Sequence, residues 1–148
     1  MVNIIVQLSK YLMIVLIIMY TYLCFSIFGY YDPDKKDRCL KKQNVLMFVM
    51  HLTAFLVMFL VKLDIKILAL YLMQVTLLGG TIVLYMFIYP RVSRLVVNNM
   101  CMLLSIGFIM ITRLNYDKAA KQYLIAAGGL VLCMVIPVII RKFKLLSE

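Results

Sequence analysis

Tryptophan is absent from this chain, histidine occurs once, and only six side chains are acidic. A single histidine, His51, excludes a multi-histidine metal centre. The four cysteines, Cys24, Cys39, Cys101 and Cys133, include no Cys-x-x-Cys pair, so neither a zinc site nor a disulfide framework is indicated. Three of them lie inside apolar runs, where a thiol behaves as a small hydrophobe. No Asp or Glu falls within those runs either, which removes a carboxylate pair, a serine–histidine–acid set and the ionisable pathway that marks a transporter. No catalytic residue, metal ligand or cofactor site is assigned from the residues.

What is there is apolar. Hydrophobic residues make up 66% of 148 and charged ones 15%, with a mean hydropathy of +1.02, more apolar surface than one water-soluble core can hide. Lipid is therefore the solvent for most of the chain. About 20 apolar residues, rising about 1.5 Å each, cross a hydrocarbon core of roughly 30 Å. Five uncharged runs approach or exceed that length: Tyr11–Tyr31, Gln43–Val61, Ile67–Pro90, Leu95–Thr112 and Gln122–Ile140. Each is predicted to be helical, because an isolated strand would leave its backbone groups unpaired in lipid. The fold class is thus all-α, an integral membrane bundle of five transmembrane helices.

The first helix is expected to start near Asn3, with Lys10 reaching toward headgroups. It is not read as a cleavable signal peptide, since no basic region precedes its apolar stretch. Merging the second and third runs would place Lys62, Asp64 and Lys66 at the bilayer centre, at about 2.5–3.5 kcal/mol for each such charge, so two helices with a tight turn are expected. Asp32–Lys42 reads as a loop in which Pro33 stops the first helix. The tyrosines Tyr30, Tyr31, Tyr89, Tyr116 and Tyr123 gather near helix ends and take the place of tryptophan in the interfacial belt.

The net charge of +10 is carried by short clusters between apolar runs, which suits topology and phospholipid headgroups rather than nucleic acid. One set of connections holds Lys35, Lys36, Arg38, Lys41, Lys42, Arg91, Arg94, Arg141, Lys142 and Lys144, against Lys10, Lys62, Lys66, Arg113, Lys118 and Lys121 on the other side. That excess makes the first set cytoplasmic, with the N-terminus outside and the C-terminus inside. Cys39, the one cysteine outside the runs, offers a thiol for checking this.

Among uncharged polar residues, His51 is read as a neutral histidine bonded to a neighbouring helix, since a proton relay would need a carboxylate that no span supplies. It falls in the first half of the second run. Gln74 and Thr76 are expected to bond between helices. Gly79-Gly80 and Ala126-Ala127-Gly128-Gly129 are read as small surfaces where helices approach closely, Pro137 as a kink, and the twelve methionines as adaptable packing. The polar stretch Arg113–Gln122 is the richest. Asp117 is a candidate N-cap for the last helix, with Lys121 four residues on. Arg113, Lys118, Lys121 and Gln122 form the candidate contact set for substrate or partner. They either hold the phosphates of a lipid-linked molecule or anchor two helix ends at the interface.

From Gly107 to Gln122 the chain reads Gly-Phe-Ile-Met-Ile-Thr-Arg-Leu-Asn-Tyr-Asp-Lys-Ala-Ala-Lys-Gln. This resembles the opening of the SEDS family (FtsW, RodA and SpoVE) of bacterial shape, elongation, division and sporulation. The likeness lies in a glycine-containing apolar helix ending in Arg-Leu, a short external loop, and Ala-x-x-Gln opening a helix that closes in Arg141-Lys-Phe-Lys144. It covers roughly Asn98–Lys144. Residues 1–94 then resemble the three-helix membrane extension of some Gram-positive members, and 95–148 the first hairpin of the SEDS membrane domain. The resemblance implies a multi-pass protein of the bacterial cytoplasmic membrane. It implies a peptidoglycan glycosyltransferase that polymerises lipid II beside the membrane helix of a class B penicillin-binding protein. The aspartate essential to that family lies in a much later external loop with no counterpart before Glu148, so this portion is expected to be non-catalytic alone. A different class remains open beside it, a small stand-alone membrane scaffold or interaction protein.

Overall fold

The computed structural model describes residues 2–146, with side chains described for residues 4–139; Met1, Ser147 and Glu148 lie outside it, as do the side chains of Asn3, Arg141, Lys142 and Lys144. Within those bounds the chain is five α-helices: α1 (Val2–Gly29), α2 (Pro33–Lys62), α3 (Ile65–Ile88), α4 (Arg94–Leu114) and α5 (Tyr116–Leu146). All five contain a segment long and apolar enough to cross a membrane, as the five runs predict.

The helices are longer than the apolar runs, and the connections correspondingly shorter. α2 begins ten residues before Gln43, so the basic loop expected over Asp32–Lys42 is mostly helix. Asp32 caps it, its carboxylate accepting from the Asp34 N–H at 3.1 Å, and Pro33 occupies the first turn, where its missing donor costs nothing. The proline thus starts α2 as much as it stops α1. Cys39 and Gln43 on one face of this extension are buried, and its lysines point away. The Cys39 Sγ donates to the Leu23 carbonyl at 3.4 Å, so this thiol is covered by α1 and is not the accessible probe expected. Because α2 starts early, His51 sits beyond its midpoint rather than in its first half.

The α2–α3 connection is the tight turn expected. Leu63 takes a left-handed conformation (φ 49°, ψ 37°) and its N–H donates to the Phe59 carbonyl at 2.7 Å. Asp64 then caps α3 by accepting from the Lys66 N–H at 2.9 Å. The α4–α5 connection shrinks to Asn115 alone. Its Oδ1 accepts from the N–H groups of Asp117 and Lys118 at 2.9 and 3.2 Å, so Asn115, and not Asp117, caps the last helix. The local sequence favours this: an asparagine directly after Arg-Leu can cap with its side chain, whereas Asp117 already lies inside the first turn.

α4 is the centre of the bundle. In its most apolar window 44% of residues are buried, against 6% in α5, and α4 packs on α2, α3 and α5 while α1 packs chiefly on α2. Its buried positions, Asn98, Cys101, Met102, Ser105, Phe108, Ile109 and Thr112, recur at three- and four-residue steps. Facing them are Met47, Met50, Ala54 and Phe55 of α2 with Leu78 and Ile82 of α3. The small-residue surfaces play a smaller part than expected. A methyl added at Gly79 would stand 3.8 Å from Phe48, and one at Gly80, Gly128 or Gly129 would meet nothing within 4 Å, so these glycines do not mark sites of closest helix approach. α5 is helical through Pro137; the ring removes a backbone donor there, and the Tyr89 hydroxyl donates to the Met134 carbonyl of the same stretch at 2.6 Å.

Leu63 carries a local penalty, since an L-residue with a Cβ disfavours the left-handed region by about 1–2 kcal/mol. Leu63→Gly should therefore stabilise the bundle by about 1 kcal/mol. Reversible unfolding in mixed micelles reads this directly, and an unchanged or lowered midpoint would contradict it.

Candidate functional site

Two features stand out: a polar seam that ties α4 to its neighbours, and a cleft at the bundle end lined by one of the residues expected to meet phosphate, Arg113.

The seam begins at the end of α4 near Ser93. Arg94 pairs with Asp37 of α2, which also holds Lys41 at 2.9 Å. One turn further, Asn98 Nδ2 donates to the Leu40 carbonyl and to Gln43 Oε1, each at 3.2 Å. Asn99 Oδ1 faces α1 and accepts from the Tyr20 hydroxyl at 3.0 Å and the Cys24 thiol at 3.2 Å. Deeper in, the His51 Nδ1 and Ser105 Oγ are 2.8 Å apart and both residues are fully buried. The His51 ring also stacks on Tyr71 of α3, centroids 5.7 Å apart, and leans on Phe55 at 4.8 Å. His51 is thus a packed, interhelical histidine, as read from the sequence. These contacts join α1 and α2 to α4 with hydrogen bonds in a region where lipid supplies none, and α3 is tied in by the stacking of Tyr71 on His51.

Two expectations about polar residues need correction. Thr76 does not bond between helices; its hydroxyl donates to the Leu72 carbonyl of its own helix at 2.8 Å. Thr21, Thr53, Thr81 and Thr112 likewise donate to the carbonyl four residues back, which satisfies a hydroxyl without any neighbour. Gln74 is fully buried, yet neither end of its amide meets a partner among the described residues.

The contact set lies at the opposite end. Lys118 and Lys121 are exposed on the first turns of α5. Gln122 is half-buried and packs toward α4, its Nε2 lying 4.0 Å from where a Cβ on Gly107 would be. Arg113 faces another way. It lines a cleft of about 740 Å³ between α1, α2 and α4, together with Lys10 and Lys62. Apolar side chains form the walls, among them Met13 and Ile14, Val57 and Met58, Ile109 and Met110. The cationic residues read as one cluster are therefore divided: Arg113 belongs to the α1–α2–α4 cleft, and the two lysines to the outer surface of α5.

Sequence reasoning passed over Asn98, Asn99, Ser105, Gln43 and Tyr20 as functional groups of the seam. A signal was present. Asn98, Ser105 and Thr112 are spaced by sevens inside one apolar run, which puts three polar side chains on one helix face, and all three are buried. Polar residues on one face of a membrane helix bond to neighbouring helices as a rule.

Together these features define a class: a multi-pass α-helical membrane bundle with a polar interior seam. No protein-family model, curated protein or solved structure matches the chain.

Hydrogen bonds between membrane helices average about 0.6 kcal/mol and reach about 1.7. Ser105→Ala should cost about 1 kcal/mol and couple to His51→Ala in a double-mutant cycle; additive losses would show that the pair contributes nothing. Gln74→Met, which removes an unpaired buried amide while keeping volume, should raise stability by about 1–3 kcal/mol. A loss of stability in the same unfolding assay would show that the amide has a partner in the membrane.

Proposed function

We propose that this chain forms the N-terminal membrane portion of a SEDS-type peptidoglycan polymerase of the FtsW, RodA and SpoVE kind. It is non-catalytic alone and helps to frame the substrate cavity and to contact a class B penicillin-binding protein in the bacterial cytoplasmic membrane. The observation that carries the reading is the α4–α5 hairpin. The Gly107–Gln122 stretch on which the resemblance rests is a continuous helix–turn–helix closed by Asn115, with Gln122 folded back against Gly107. Cations flank its turn on two sides, Arg113 toward the α1–α2–α4 cleft and Lys118 and Lys121 exposed on α5, and such groups suit lipid-linked phosphate. α4 packs on α2 and α3 as well as on α5, so the first three helices support the hairpin rather than trail from it. α5 leaves a broad apolar face uncovered, including Leu124, Ile125, Val131 and Leu132, on which further helices of the same enzyme or of its partner can pack.

A chimera tests this. With residues 1–146 of this chain replacing the matching helices of a full-length SEDS polymerase, lipid II should still be converted to glycan strands, and Arg113→Ala with Lys121→Ala should cut the rate about tenfold. A chimera that inserts and folds but makes no glycan would favour the stand-alone scaffold.

The orientation belongs to the same reading: N-terminus outside, with the Lys36 end of the bundle cytoplasmic. Lys36 and Lys66 are both exposed and lie at opposite ends of α2 and α3. In intact protoplasts an impermeant maleimide should label Lys66→Cys and spare Lys36→Cys, with the buried Cys39 silent in both. The reverse pattern would invert the topology.

A further inference from the structure

We infer that the cleft between α1, α2 and α4 is a binding site for an anionic glycerophospholipid, with the phosphate at Lys10, Lys62 and Arg113 and one acyl chain along the apolar walls. The assignment is independent of the polymerase reading.

Charge carries it first. Three cations from three different helices line one cleft, and its lining contains no acidic side chain. Among the described residues both ion pairs of the chain use Asp37, and none involves these three. The two acids at this end of the bundle, Asp64 and Asp117, lie outside the cleft, and the Asp64 carboxylate accepts from the Lys66 N–H as the cap of α3. Like charges lining one largely apolar cleft repel, and an anion bound among them relieves that repulsion. Arg113 offers a planar fork of donors suited to phosphate oxygens, and the two lysines add mobile point charges.

The walls decide what kind of anion. Apart from the cations and Gln7, Ser9 and Tyr11, the lining is aliphatic and thioether, including Met13, Ile14, Met58 and Met110. A water-soluble phosphate would leave those walls uncovered, and an uncharged lipid would leave the cations unanswered. A molecule with a phosphate head and a hydrocarbon tail satisfies both. The volume of about 740 Å³ falls within the roughly 300–1,000 Å³ usual for ligand clefts. The methionines give walls that adapt to a chain with many conformers. The site uses the start of α1 and the end of α2, so it depends on the antiparallel packing of those helices and cannot form on α4 alone.

The test uses the whole chain purified in a neutral detergent. Native mass spectrometry with added phosphatidylglycerol should show one retained lipid, with phosphatidylcholine and inorganic phosphate retained at least tenfold more weakly. At about fivefold per neutralised charge, the variant Lys10→Gln/Lys62→Gln/Arg113→Gln should lose roughly a hundredfold in affinity. Lys35→Gln/Lys36→Gln, which removes two exposed charges at the other end of the bundle, should bind as the parent does. If the triple variant does not keep its helical circular dichroism, Lys10→Gln/Lys62→Gln carries the test with an expected loss of about twenty-five-fold. Equal retention of phosphatidylcholine, or equal losses in the cleft and the Lys35/Lys36 variants, would overturn the site. Tighter retention of a polyprenyl pyrophosphate than of phosphatidylglycerol would overturn the choice of occupant.

Discussion

The structure depends on hydrogen bonds from one helix. In lipid the apolar faces of helices gain little by leaving their surroundings, so association rests on close packing and on polar groups that have nowhere else to bond. α4 supplies most of those groups. Asn98 reaches α2, Asn99 reaches α1, Ser105 meets His51, and Arg94 meets Asp37 at the bundle end. Through His51 the stacked Tyr71 ties in α3. Each contact fixes a rotation of one helix about its axis, since turning α4 by one residue would carry Asn98 and Ser105 away from their partners together.

The same economy explains where polarity is tolerated. The five threonine hydroxyls that bond four residues back are self-sufficient, and they occur on exposed, intermediate and buried faces alike. Asparagine and histidine are not self-sufficient in a helix; Asn98 and His51 are buried against partners, with Asn98 Oδ1 and His51 Nε2 left unpaired among the described residues. Gln74 departs from this rule, buried with its amide unpaired among the described residues. The charged side chains stay at the helix ends. At one end Asp37 neutralises part of the basic extension of α2; at the other, Lys10, Lys62 and Arg113 converge on an apolar cleft without an acid among them. The two ends of the bundle are thus electrostatically unlike, one knit by the Asp37 pairs and the other with three cations lining a cleft and no ion pair among the described residues.

The mechanical setting of the α4–α5 hairpin is the whole bundle. A one-residue connection at Asn115 leaves no room for the helices to splay, and Gln122 against Gly107 closes the angle between them. α5 is held along one side by α3 and α4 and presents the other side to lipid or to further protein.

How much of this was legible beforehand follows from the range of the forces involved. Hydropathy and length alone determine that five helices are long and apolar enough to cross a membrane, because backbone desolvation in lipid is a local, per-residue cost; the tight turn at Leu63–Asp64 follows from the same cost applied to Lys62, Asp64 and Lys66. Helix ends were less legible. Charge was taken to end a helix, but a charged side chain at the interface costs little, so α2 and α5 run on through Lys35–Lys42 and Asp117–Lys121, capped by Asp32 and Asn115. Which polar groups meet, and that Arg113 joins Lys10 and Lys62 rather than Lys118 and Lys121, was decided by tertiary structure alone. Those residues stand far apart in the chain, and only the packing angles of α1, α2 and α4 bring them to one cleft.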